Sequence, residues 1–103
     1  MTFEQLAVFV AVAEREHLTK AAAAINLTPS AVSASIRSLE QHYGVELFHR
    51  IGRRIELTDA GRIFLEEARK LLARSQSVEL ILSELGSLQR GSLNVFASQT
   101  IAS

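Results

Sequence analysis

The stretch LTPSAVSASIRSLEQHYG, residues 27–44, decides how this chain folds. Thr28 is a favoured helix N-cap. Pro29 sits at the first helical position, where its missing N–H costs nothing because that donor has no partner within the helix. Gly44 closes the run, as glycine does just past a helix end. Between these signals Val32, Ile36, Leu39 and Tyr43 recur at helical spacing and predict one buried side. At about 100° per residue, Ser30, Ser33, Ala34, Arg37 and Gln41 fall on the opposite side. The reading is a helix over 28–43 whose outward face carries small or hydrogen-bonding side chains.

Upstream, a short helix is predicted from about Leu18 to Ile25, with Leu18, Ala21, Ala22 and Ile25 facing inward. Its alanines let another helix approach closely at little entropy cost. Asn26 follows, a residue that tolerates the left-handed conformation at a helix end. Before it, residues 2–15 read as a first helix. Thr2 and Gln5 have the spacing of a capping box. Phe3, Leu6, Phe9, Val10 and Ala13 form one apolar stripe, and Glu14, Arg15 and Glu16 mark a polar exit.

Downstream, Leu47-Phe48-His49 and Ile55-Glu56-Leu57 are short strand candidates, and Arg50-Ile51-Gly52-Arg53-Arg54 between them is a glycine-containing turn, which together make a basic β-hairpin. Thr58-Asp59 opens a fourth helix, a cap followed by an acid at the positive end of the helix dipole. No breaker interrupts Arg62 to Leu85, which gives a length from 58 to 85 on the order of 40 Å. Phe64, Ala68, Leu71, Ser75, Val78, Leu82 and Leu85 alternate steps of four and three, the 3.5-residue seam of a coiled coil. Such a helix is too long for the core of a small domain to cover, so a partner helix is expected, although packing on its own domain is the competing reading. Ser92 to Ser98 reads as a single strand with no neighbour to pair with. It is taken as the first strand of a truncated second domain. The expected organisation is residues 1–57, 58–90 and 91–103.

Composition narrows the functions. Of the 103 residues, 48% are apolar, so a compact core is available and disorder is not expected. Without cysteine there is neither a disulfide framework nor a thiolate metal site. No apolar run approaches the roughly 20 residues that span a bilayer, and the start lacks the basic stretch of a secretion signal. A cytoplasmic location is the expectation, with no membrane partner. Formal net charge is zero, yet His49, Arg50, Arg53 and Arg54 cluster with no acid until Glu56. No serine–histidine–acid set, phosphate-cradling glycine loop or metal-ligand spacing is present, so the chain is not expected to be an enzyme or to need a cofactor. His17, His42 and His49 are scattered and fit surface or structural roles.

Two helices joined by a tight turn, the second presenting small polar side chains, form a helix-turn-helix. An α-helix enters the major groove of B-DNA when its outer face is not bulky, and its N-terminal residues reach the base edges. Ser30 and Ser33 can donate or accept hydrogen bonds, Ala34 can touch a thymine methyl, and Arg37 can reach a phosphate or a guanine edge. Thr28 and Pro29 begin a helix whose free N–H groups and dipole suit phosphate. Arg50, Arg53 and Arg54 are wing candidates, since arginine suits the negative potential of a narrow minor groove. Plainer roles compete. The serines could be merely solvated, Arg37 could pair with Glu40 or Gln41, and Arg50 could brace the hairpin. The fold class that follows is mostly α: a winged helix-turn-helix of three helices plus a two-stranded wing, then a long coiled-coil-forming linker helix.

These residues resemble a known family. Ala21-Ala22, the run LTPSAVS at 27–33, Ile36 to Glu40, Gly44 to Phe48, Arg50 and Leu57 to Gly61 are similar to the N-terminal signature of LysR-type transcriptional regulators. The segment from Arg90 to Leu93 resembles that family's entry into its effector-binding domain. The resemblance implies a bacterial, sequence-specific regulator of transcription that binds double-stranded DNA as a homodimer or homotetramer. In it the recognition helix begins at Thr28, the wing follows Phe48 and the long helix pairs with that of a partner subunit. RNA polymerase is a further candidate partner. A small-molecule co-inducer would bind only a longer chain, with Ser98, Gln99 and Thr100 in the first effector-contacting loop. The family often carries a long polar residue where Ala34 stands and glutamine where Ser35 stands. Direct base readout is therefore expected to rest more on Ser30, Ser33, the wing and DNA shape.

Overall fold

The computed structural model describes residues 1–52 and 54–90. Four helices and one hairpin follow in the order α1 (Phe3–Arg15), α2 (Leu18–Ala24), α3 (Pro29–Tyr43), β1 (Phe48–Ile51), β2 (Arg54–Leu57) and α4 (Asp59–Arg90). The chain divides into two compact units, Met1–Leu72 and a second that begins at Ala73.

Local chemistry sets each boundary in the first unit. The Thr2 hydroxyl accepts the Gln5 N–H at 3.1 Å, and the Gln5 side chain accepts the Thr2 N–H at 3.0 Å, which completes the capping box. His17 caps α2 through Nδ1, which accepts the Lys20 N–H at 3.1 Å. Asn26 takes the left-handed conformation at φ 56°. Around it Leu27 N–H donates to the Ala22 carbonyl at 2.9 Å and Asn26 N–H to that of Ala23 at 3.4 Å, the paired bonds of a Schellman ending. This makes the turn between α2 and α3 short and defined. At the far end of α3, Gly44 adopts φ 63° and Val45 N–H returns to the Glu40 carbonyl at 3.1 Å.

The core of this unit gathers around Phe9, which is wholly buried. Its ring lies 5.3 Å from Phe48 of β1 and 4.5 Å from Phe64 of α4, so one side chain joins three elements. Tilted aromatic pairs of this kind add about 0.5–1.5 kcal/mol each beyond their area burial. Val8, Val12, Ala21, Ala22, Val32, Ile36 and Leu39 close the space between the first three helices, and Leu65 and Ala68 of α4 belong to the same cluster. Buried Gly61 brings α4 against the loop before the wing. A Cβ there would strike the Leu47 carbonyl oxygen and lie 2.8 Å from Leu57 Cδ2.

Four details differ from the sequence reading. α1 is buried on more than a stripe, because Val8, Ala11 and Val12 are enclosed as well. Phe3, expected inside, is 62% exposed, since it stands on the first helical turn beyond the reach of the core. Tyr43 ends its helix 54% exposed and accepts a hydrogen bond from the Met1 amino group at 3.4 Å. The hairpin pairs closer to its tip than expected. The register is Phe48 with Leu57, His49 with Glu56, Arg50 with Ile55 and Ile51 with Arg54. Arg50, Ile51 and Arg54 are therefore ladder residues and not part of the turn, and Gly52 supplies the positive φ of 62° that a tight connection needs.

In the second unit α4 continues to Arg90, which gives the helix 32 residues. The strand expected over Ser92 to Ser98 lies outside the described residues.

Candidate nucleic-acid interface

The outward face of α3 is held in place from behind. Val32, Ile36 and Leu39 are at most 3% exposed. Because they anchor one side, helical geometry turns the other side to solvent. Ser30, Ala34, Arg37 and Gln41 are exposed there and Ser33 is half-buried. At the start of the helix the Thr28 hydroxyl accepts the Ala31 N–H at 3.1 Å, with Pro29 in the first turn. One orphan donor is thereby satisfied, and Thr28, Pro29 and Ser30 remain exposed at the positive end of the dipole.

The sequence left open whether Arg37 pairs with Glu40. It does not. The Glu40 carboxylate faces the loop before the wing, where Oε2 accepts the N–H of Leu47 at 2.7 Å and of Phe48 at 3.3 Å. Arg37 makes no ion pair among the described residues, so its exposed guanidinium is available to an external anion.

The hairpin stands beside this face and is fixed at its base. Thr58 is buried, and its hydroxyl donates to the Glu46 carbonyl at 2.7 Å and accepts the Gly61 N–H at 2.9 Å. Its own N–H donates to the Leu47 carbonyl at 3.0 Å. Glu40 and Thr58 thus hold the segment before β1 from two sides. Arg50 Nη2 donates to Ser33 Oγ at 3.2 Å, which joins wing to helix. Arg54 is exposed, with Nη2 3.4 Å from Glu56 Oε1 on the same face of β2. Arg53 lies outside the described residues.

Glu40 and Thr58 were not singled out as site residues from sequence. The signal for Thr58 was present in its cap position. That for Glu40 was not, because its partners are seven and eight residues away across a loop that no helical rule spans.

The seam residues of α4 fall into two sets. Ala68 is fully enclosed in the chain's own core and Phe64 is half-buried against Phe9, so these two are engaged within the first unit. Leu71, Val78, Leu82 and Leu85 are exposed and Ser75 is half-buried. Leu80 and Ile81 add further exposed apolar surface in the second unit. Ser98, Gln99 and Thr100 lie outside the described residues. Among the described residues, no helix is long and apolar enough to cross a membrane, and no group of three His, Cys, Asp or Glu is placed to hold a metal.

Residues 3–62 match the family model of the bacterial regulatory helix-turn-helix proteins of the LysR family. The chain is 36% identical to the RuBisCO operon transcriptional regulator of Allochromatium vinosum over 98% of its own length and 33% of that protein's. It therefore spans about a third of the curated relatives it matches. Among solved structures, it is similar to the DNA-binding domain of BenM in complex with catB site 1 DNA, with a TM-score of 0.81 and 31% identity, covering 84% of this chain and 97% of that one. It is also similar to full-length CbnR complexed with its target DNA, with a TM-score of 0.75 and 36% identity, covering 82% of this chain and 29% of that one. A winged helix-turn-helix with this pattern of caps, core and wing, matched over its whole extent, makes this chain a member of the LysR family of bacterial regulatory helix-turn-helix proteins.

Proposed function

We propose that this chain is the DNA-binding and self-associating part of a transcription regulator, reading a promoter site in double-stranded DNA. The family is one of regulators and not of enzymes. The observation that carries the proposal is the row of exposed Ser30, Ala34 and Arg37 with half-buried Ser33 on a helix whose opposite side is locked in the core, with a basic hairpin tied to it at Ser33. A slim outward face with hydroxyls and one guanidinium that makes no ion pair among the described residues is what a major groove admits. Thr28 and Pro29 bring the helix N-terminus to phosphate. Arg53 and Arg54 supply wing contacts to backbone or minor groove, and Arg50 joins the wing to α3. BenM and CbnR relatives solved with DNA support the same reading.

Residues 1–57 carry the DNA contacts in this proposal, 58–90 form the dimerisation helix and 91–103 begin an effector-binding domain. The exposed apolar side chains Leu71, Val78, Leu82 and Leu85 support self-association into a homodimer, or a homotetramer of two such pairs. Two recognition helices related by a two-fold axis would then meet half-sites about 34 Å apart or a multiple of it. A small co-inducer, bound by the longer protein with Ser98, Gln99 and Thr100 in its first contacting loop, and contact with RNA polymerase complete the assignment. A cytoplasmic location fits all of these roles.

Selection of bound fragments from a genomic duplex library by the purified chain tests the proposal. Enrichment of a pseudo-palindromic site is expected, with an affinity that falls steeply as salt rises. No measurable duplex affinity at low salt would instead favour a protein-docking adaptor.

A further inference from the structure

Arg50 holds a particular place in the hairpin. The two-residue period of a strand puts Arg50 on the same face of β1 as buried Phe48, and its ladder partner is buried Ile55. Its side chain therefore leaves the strand on the Phe48 face, where Arg50 is itself exposed, while His49 and Ile51 take the other face. A long cationic side chain on such a face runs its stem along apolar surface and delivers its charged head to the rim. Here the head arrives at α3, and Nη2 donates to Ser33 Oγ at 3.2 Å across 17 residues of sequence. Among the described residues this is the only partner of the Ser33 hydroxyl. It makes no bond back to its own helix of the kind that Ser77 makes to the Ala73 carbonyl at 3.1 Å.

A serine hydroxyl carries one hydrogen and two lone pairs, and in isolation it can face a donor or an acceptor with equal ease. A guanidinium donating to one lone pair removes that freedom. It repels the hydroxyl's own hydrogen, which turns away from the cation, and the positive charge strengthens the outgoing hydrogen bond. We propose that Arg50 is a positioning residue that makes Ser33 a hydrogen-bond donor toward DNA, so that the base opposite Ser33 is selected for an acceptor edge. The inference rests on α3 entering the major groove. There guanine N7 and O6, adenine N7 and thymine O4 accept, whereas cytosine N4 only donates. Ser33 alone tolerates all four bases, and the Ser33–Arg50 pair rejects one of them.

The test is selection from a randomised duplex pool by the whole chain and by Ser33→Ala, Arg50→Met and the double variant, each checked for helix content by circular dichroism. In the wild type, one position of the half-site is depleted of cytosine on the strand that faces α3. Ser33→Ala and Arg50→Met each lose that depletion at the same position and each weaken the selected duplex about fivefold, the worth of one hydrogen bond. The double variant is no weaker than either single one, because the two side chains act as a unit. Ser33→Ala touches only a helix surface, so its profile can be read even where Arg50→Met disturbs the hairpin.

Additive losses would overturn the pairing. So would an Arg50→Met profile that keeps the depletion while its log–log salt slope drops by about 0.9, for then Arg50 holds a phosphate and leaves Ser33 alone. A wild-type chain without duplex affinity at low salt would remove the major-groove reading and this inference together. That outcome is distinct from tight binding without base preference opposite Ser33, which removes this inference only.

Discussion

The carboxylate of Glu40, in the C-terminal half of α3, accepts the backbone N–H of Leu47 at 2.7 Å and that of Phe48 at 3.3 Å. Through these bonds α3 holds the root of the wing. Charge-assisted hydrogen bonds to a partly buried carboxylate contribute about 1.5–3 kcal/mol in total. Glu40→Ala is expected to lower unfolding free energy by about that much in urea titration, and Glu40→Gln, which retains an acceptor oxygen, by less. Equal stability of Glu40→Ala and wild type would show that the bond holds nothing.

Gly61 reverses the usual sign of a helical glycine substitution. Replacing glycine by alanine inside a helix ordinarily gains up to about 1 kcal/mol. At Gly61 the new Cβ would collide with the Leu47 carbonyl oxygen, a backbone atom held by its bond from Thr58, and would crowd Leu57 Cδ2 at 2.8 Å. Gly61→Ala is therefore expected to destabilise by about 1–3 kcal/mol, as overpacking does. A thermal melt shifted upward would contradict the packing described.

Arg54 and Glu56 form an exposed pair at 3.4 Å on one face of β2. A surface pair of this type contributes little to stability, so its effect should appear in binding. Arg54→Ala is expected to weaken all duplexes alike and reduce the log–log salt slope by about 0.9. Glu56→Gln releases the guanidinium and removes a negative charge beside the DNA, so it should tighten binding. Fluorescence anisotropy across a salt series distinguishes the two, and an unchanged slope in Arg54→Ala would exclude a phosphate contact by the wing at that residue.

Leu82 is 68% exposed, a large apolar side chain turned to water within the second unit. Leu82→Asp is expected to convert a dimer to monomer in sedimentation velocity and to lower affinity for a two-half-site duplex by about a hundredfold or more through loss of bivalency. Binding to a single half-site should change little. A variant that sediments as a dimer would move the self-association surface elsewhere.

The local elements of this chain were legible in its residues. Thr2 with Gln5, Thr28 with Pro29, Asn26, Gly44 and Thr58 set the helix ends, because caps and left-handed turns are settled within four or five residues of chain. The burial of Val32, Ile36 and Leu39, and hence the exposure of Ser30, Ala34 and Arg37, follows equally from helical period. Which polar groups meet is set by long-range packing. Arg37 makes no ion pair among the described residues, with Glu40 turned to Leu47, Arg50 reaches Ser33 because strand alternation puts it on the face that looks to α3, and Phe64 and Ala68 close the chain's own core while Leu82 does not. These outcomes join residues far apart in sequence, and their energies depend on distance and burial in the packed chain, which no local pattern encodes.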